Sequence, residues 1–137
     1  MRAVVYFSTS KQQNSKRIAM EYEGDHFRID HVGKHPKSLF GQLFYFGSRM
    51  VKPQELQYTV DAIDLDKYDE FVLVSPVWGG SVNPYMAKFL REHPLRGKTV
   101  TAIGASNGTN PNYVSSYAGL FDPSNRVDIL MRLPKAA

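Results

Sequence analysis

The stretch "YDEFVLVSPVWGGSVNPYMAKFL", Tyr68 to Leu90, decides the fold. From Phe71 to Val77 ("FVLVSPV") almost every side chain is apolar, the pattern of a strand buried on both faces rather than on one. Trp78, Gly79 and Gly80 then break the run. From Pro84 to Glu92, Tyr85, Met86 and Phe89 recur at helical spacing. A doubly buried strand, a glycine turn and a helix in that order form one unit of a parallel α/β sheet.

The same alternation extends outward. Ala3 to Phe7 ("AVVYF") and Thr99 to Ala105 ("TVTAIGA") read as two more buried strands, rich in β-branched and apolar residues. His26 to Val32 ("HFRIDHV") alternates Phe27 and Ile29 with Arg28 and Asp30, and Val127 to Met131 ("VDILM") places Val127, Ile129 and Met131 on one face. Helical patterns cover Ser15 to Glu23, with Ile18, Ala19 and Tyr22 inward, and Asn112 to Leu120. Lys37 to Met50 carries Leu39, Phe40, Leu43, Phe44 and Phe46, interrupted by Gly41 and Gly47. It reads as a crossover helix on the sheet, with an aromatic partner-binding surface as the alternative. No repeat or low-complexity segment is present.

The 137 residues suit a single domain spanning 1–137, with a core that needs no covalent staple. The chain has no cysteine, which excludes disulfides, thiolate metal sites and a cysteine nucleophile and leaves a reducing cytoplasm as the default compartment. No apolar run approaches the roughly 18 residues of a membrane span, so the reading is a soluble protein with no membrane partner. The net charge of +4 comes from scattered Lys and Arg; only Lys11, Lys16 and Arg17 cluster. That distribution argues against a nucleic-acid face and for a local anionic ligand at most.

In a parallel sheet, ligands sit beyond the carboxyl ends of the strands. After the first strand comes "STSKQQNS", with Ser8, Thr9, Ser10, Asn14 and Ser15 ahead of a helix whose free N–H groups favour an anion. After the third comes "PVWGGSVNP", and after the fourth "ASNGTNPNY". Singly these are an N-cap at Asn14 or Ser15, a glycine turn and a packing Trp. At one sheet edge they supply an anion cradle, an aromatic surface and backbone able to approach a planar ring.

"YFSTS…NSKRIA" and, more closely, "YDEFVLVSPVWGGSVNPYMAKFL" resemble the flavodoxin-like family of FMN-binding proteins, over roughly residues 1–105. The resemblance implies a three-layer α/β fold with an open sheet of five parallel strands, order 2-1-3-4-5. It also implies FMN as cofactor, in electron transfer or flavin-dependent reduction of a small acceptor. Ser8, Ser10, Asn14 and Ser15 would then hold the FMN phosphate, with Lys11 adding a charge contact. Pro76, Val77, Trp78, Gly79 and Gly80 would run along the isoalloxazine, Trp78 stacking on or edging it. Ser106, Asn107 and Gly108, with Tyr113, would flank the other side. No catalytic acid or base and no metal ligand is implied.

The chain departs from the family pattern in three ways. The glycine usual within the phosphate loop is replaced in "KQQ", and the loop is about two residues longer. The charge is basic where electron carriers of the family are commonly acidic, which bears on the unknown redox partner. The chain also leaves no room for the last helix, so the C-terminal helix is expected to be missing. Thr99 and Thr101, then Asp128 and Arg132, alternate with apolar residues there, which predicts a sheet open on one face or covered by a second copy in a homodimer through Leu130.

Two other functions fit parts of the sequence. "GASNG", Gly104 to Gly108, matches G-x-S-x-G with Ser106 as a hydrolase nucleophile, although His26, His31, His35 and His93 all precede it. His31 and His35 have i, i+4 spacing, but Pro36 follows and no carboxylate completes a metal motif. A flavodoxin-fold interaction protein with a degraded flavin site is the remaining alternative, supported by the altered phosphate loop.

Overall fold

The computed structural model describes residues 1–7, 13–31, 57–106 and 111–135. In chain order these form β1 (Arg2–Phe7), α1 (Asn14–Ala19), β2 (Asp25–His31), β3 (Tyr58–Thr59), a 3-10 turn (Leu65–Lys67), β4 (Glu70–Pro76), α2 (Pro84–Glu92), β5 (Thr99–Ala105), α3 (Pro111–Ser115) and β6 (Arg126–Arg132). The helical reading of Lys37 to Met50 lies outside the described residues.

β1 lies between β2 and β4, and β5 and β6 follow outward from β4, all in parallel register. β3 pairs antiparallel with the outer side of β2, His31 opposite Tyr58 and Asp30 opposite Thr59. The sheet has six strands in the order β3-β2-β1-β4-β5-β6. This corrects the expected five-stranded, wholly parallel sheet in the order 2-1-3-4-5. The physical reason is length: a two-residue strand is too short to show alternation, and a short strand suits the exposed edge of a sheet.

Two helices are shorter than their patterns predict. α1 stops at Ala19 rather than Glu23, because the N–H groups of Glu21 and Tyr22 turn to carbonyls three residues back, on Ile18 and Ala19. Gly24 then passes so close to β1 that a Cβ there would lie 2.5 Å from the Arg2 carbonyl oxygen. α3 stops at Ser115 rather than Leu120, and the following N–H groups of Tyr117, Ala118 and Leu120 also bond three residues back.

Side chains divide cleanly between the two faces of the sheet. Ala3, Val5, Phe7, Phe71, Leu73, Val100 and Ala102 point to the face covered by α2 and by the α3 region, where Met86, Phe89, Leu90, Tyr113 and Tyr117 meet them. Val4, Tyr6, Val72, Val74 and Ile103 point to the other, where Ile18 and Ala19 of α1 cover them. Burial on both faces explains the unbroken apolar runs of β1 and β4. α1 is only six residues long, so it cannot cover the whole of its face. On that face the register partners Thr99 with Arg126 and Thr101 with Asp128 are polar, and Thr99, Arg126 and Asp128 are exposed. Leu133 to Lys135, after β6, are not helical.

That C-terminal segment is tied to α1 through Glu21. The Arg132 guanidinium donates to Glu21 Oε1 at 2.7 Å, and the Lys135 N–H donates to Oε2 at 2.8 Å. The Arg132 hydrogen bond holds the Glu21 carboxyl below its ordinary value of 4.5. The unfolded chain therefore takes up this proton at higher pH than the folded chain. The stability that Glu21 contributes is present above pH 4.5 and is lost as pH falls through the lower folded value. Urea titrations across this range should show wild type losing more stability on acidification than Glu21→Gln; equal losses would remove this contact from the acid response.

Candidate functional site

Because β1, β4 and β5 run parallel, the connections after Phe7, Pro76 and Ala105 leave the same edge of the sheet. The best-defined of these is Pro76 to Asn83. The Trp78 N–H bonds the Ser81 carbonyl at 3.3 Å and the Ser81 N–H bonds the Trp78 carbonyl at 3.1 Å. Between them Gly79 and Gly80 have φ of 61° and 76°. Two consecutive left-handed residues inside a closed pair make a type I′ turn, which a Gly-Gly pair adopts without steric cost. A Cβ on Gly79 would meet nothing within 4 Å, and neither glycine N–H has a protein partner among the described residues. The turn thus offers two donors, with open space at Gly79.

Asn83 closes the loop. Its Oδ1 accepts the N–H groups of Tyr85 at 2.9 Å and Met86 at 3.3 Å, and Pro84 occupies the first helical position. α2 is thereby started at a fixed distance from the glycine turn. The pair Asn83-Pro84 is a sequence signal for this start.

An aromatic floor packs against the turn. Phe7 and Tyr85 stack with centroids 4.8 Å apart and 14° between planes. Trp78 stands edge-on to both, at 5.8 Å and 6.4 Å, and the His31 ring lies 6.3 Å from Tyr85. Trp78 is only 6% exposed. It is built into the floor, so of the two contacts the resemblance implies, stacking on the ring or edging it, the first would require its face to leave these contacts. Phe7 and Tyr85 are the residues that sequence reading assigned to the core alone; the fold brings them to the end of β1 and the start of α2, at the candidate site.

On the β5 side, the Ser106 N–H donates to the Arg132 carbonyl at 3.2 Å, which joins the start of this loop to the end of β6. Tyr113 is fully buried. Its ring lies so close to Gly104 that a Cβ there would stand 2.8 Å from Tyr113 Cζ and 2.5 Å from Val77 Cγ2. The Tyr113 and Tyr117 hydroxyls are 2.9 Å apart, and the buried Ser75 hydroxyl lies close to both without a well-aligned bond. Burial pushes the Tyr113 phenol up to about 12 and Tyr117 well above its ordinary value, so both stay neutral. Tyr113 thus packs inward, its ring against Gly104.

At the first loop, Ser8, Ser10 and Lys11 lie outside the described residues, as do Asn107 and Gly108 of the loop after β5. Gln13 is described, and it has φ 52° and ψ 41°. The glycine missing from the sequence is matched by a left-handed, glycine-like conformation at Gln13. Gln13 is the N-cap residue and makes no side-chain capping bond. Asn14 and Ser15, read from sequence as cap candidates, are the first two residues of α1, and Ser15 is buried.

The chain's backbone closely follows several solved flavoproteins. It matches a flavoprotein of Lactobacillus acidophilus NCFM solved in complex with FMN at 22% identity and TM-score 0.72, covering 96% of this chain and 91% of that one. The chain has a flavodoxin-like fold. A structure from Bacteroides eggerthii DSM 20697 assigned as a flavoprotein matches at 19% identity and TM-score 0.78, covering 98% and 89% of the two chains. The apo form of the Lactobacillus protein, solved by NMR, matches at 20% identity and TM-score 0.61, covering 97% and 93%. No family model matches the chain, and no curated protein matches it. Among the described residues no helix is long and apolar enough to cross a membrane, and no group of three or more His, Cys, Asp or Glu is placed to hold a metal ion.

Left-handed backbone costs a non-glycine residue roughly 1–2 kcal/mol, and glycine gives back roughly 0.5–1 kcal/mol through the entropy of the unfolded chain. Gln13→Gly should therefore stabilise the protein by about 0.5–1 kcal/mol in urea denaturation. A loss of stability would show that Gln13 contributes more through its side chain than its backbone strain removes.

Proposed function

We propose that the chain binds FMN noncovalently at the carboxyl edge of the sheet and serves in electron transfer or in the reduction of a small acceptor. The observation that carries this reading is the Trp78–Ser81 turn, with two N–H donors that have no partner among the described residues and open space at Gly79, packed against an aromatic floor. A planar, polar-edged ring fits such a place. The likeness of the fold to a flavoprotein solved with FMN supports the choice of ligand.

When bound, FMN supplies the redox chemistry, and the protein supplies binding, orientation and electrostatics. The Gly79 and Gly80 N–H groups would donate to the polar edge of the ring, with Pro76 and Val77 running alongside. Phe7, Trp78 and Tyr85 exclude water from one side of the turn. Ser106, Asn107 and Gly108 would flank the ring from the β5 side. Ser8, Ser10, Lys11, Asn14 and Ser15 would hold the phosphate ahead of α1.

The hydrolase reading of Ser106 meets a geometric obstacle. His31 ends β2, three strand positions from β5, or about 14 Å at the usual strand spacing. His26 Nε2 lies 3.0 Å from the Ala19 carbonyl and His93 Nδ1 lies 3.0 Å from the Phe89 carbonyl. His35 lies outside the described residues.

The purified protein should show a flavin absorption spectrum, or acquire one on adding FMN to colourless protein. No binding after that challenge would overturn the reading and favour the interaction protein. Gly79→Ala is the matching variant, because its methyl enters open space in the ligand-free protein. It should weaken FMN roughly tenfold or more, beyond any stability cost of its left-handed φ. Unchanged affinity would remove the turn from the site.

A further inference from the structure

One side chain joins the loop after β4 to α3, the helix that follows β5 in the chain. Ser116 follows α3 and is half-buried. Its hydroxyl oxygen accepts the Val82 N–H at 2.8 Å, across 34 positions of sequence. The same hydroxyl donates to the Tyr113 carbonyl at 2.5 Å. Its own N–H is shared between the carbonyls of Asn112 at 2.9 Å and Tyr113 at 3.2 Å.

Both ends of this bridge are constrained. Val82 is the first residue beyond the Trp78–Ser81 turn and precedes the cap Asn83, so its N–H lies between two fixed points of the loop. Val82 is 9% exposed. Without Ser116 this buried donor would lack a partner, a costly state for a backbone N–H. Tyr113 is held in turn by its burial against Gly104 and by the Tyr117 hydroxyl. Pro76 and Ala105, where the two loops begin, are already register partners in the sheet. The loop after β4 is thus tied to β5 at its root by the sheet and to α3 near its far end by Ser116.

We propose that Ser116 is a positioning residue that holds the segment after the Gly79–Gly80 turn against α3, and thereby fixes where that turn stands in the flavin site. The proposal rests on the FMN reading for its effect on ligand, but not for its effect on Val82. Ser116 touches no ligand; it acts through the Val82 N–H on one side and the Tyr113 carbonyl on the other.

The test uses the whole chain as wild type, Ser116→Ala and Ser116→Thr. Amide exchange at Val82 is measured by NMR without ligand, and affinities for oxidised and reduced FMN are measured separately. In Ser116→Ala, Val82 should exchange roughly fivefold faster and oxidised FMN should bind roughly fivefold more weakly, the loss expected for one neutral hydrogen bond. The ratio of oxidised to reduced affinity should also move, which a general loss of stability would not produce. Ser116→Thr keeps the hydroxyl and should restore all three. Should Ser116→Ala fail to fold, Ser116→Cys, with its weak sulfur acceptor, replaces it and should give smaller changes of the same sign.

Unchanged Val82 exchange in the variant lacking the hydroxyl would overturn the proposal. So would faster Val82 exchange with FMN affinity and affinity ratio both as in wild type. If wild type binds no FMN, the functional reading fails by itself. The bridging role then stands if Val82 loosens in Ser116→Ala and recovers in Ser116→Thr, and falls if it does not.

Discussion

The parallel pairing of β1 with β4 is the constraint on which the rest of the molecule depends. Both strands are buried on both faces, so apolar cover must come from each side. Parallel neighbours cannot be joined by a hairpin; each connection must cross over and return the chain to the opposite end of the sheet. The cover and the candidate site follow from the same requirement. Helices supplied by the crossovers bury the faces, and the connections after β1, β4 and β5 leave the sheet at one edge.

The two faces meet this requirement unequally. The face toward α2 and α3 holds a continuous cluster from Ala3 to Leu120, including the buried aromatics Phe71, Phe89, Tyr113 and Tyr117. Among the described residues, the face toward α1 has a smaller cluster around Ile18 and Ala19. Thr99, Thr101, Arg126 and Asp128 accept solvent where α1 does not reach. Glu21 compensates locally by holding the Arg132 guanidinium and the Lys135 N–H, which draws the chain after β6 against α1. The more fully covered face is also the one whose aromatics extend to the carboxyl edge, so the floor of the candidate site is continuous with the larger core.

Much of this was legible in local sequence. "FVLVSPV" and "AVVYF" show their double burial because every position must be apolar when both faces are covered. Gly79-Gly80 shows its turn because two successive left-handed residues favour glycine. The short β3 was not legible, since two residues carry no period and its pairing depends on β2 lying alongside. Trp78 and Tyr113 show the limit for single aromatics. Sequence placed both in site loops, but their burial depends on partners distant in the chain, Phe7 for Trp78 and Gly104 for Tyr113.

Sequence by itself determined the alternation of strands and helices, the parallel α/β class and the three loops at one edge, because hydrophobic period and turn chemistry are local properties. Only the tertiary structure decided the antiparallel edge strand β3, the left-handed Gln13 in place of a glycine, and the tie between the loop after β4 and α3 through Ser116. Those features arise from hydrogen bonds and close approaches between segments distant in sequence, or from the path that packing imposes on a loop. The Ser116 hydroxyl bonds locally to the Tyr113 carbonyl, but nothing in that local pattern marks the amide it meets 34 residues away.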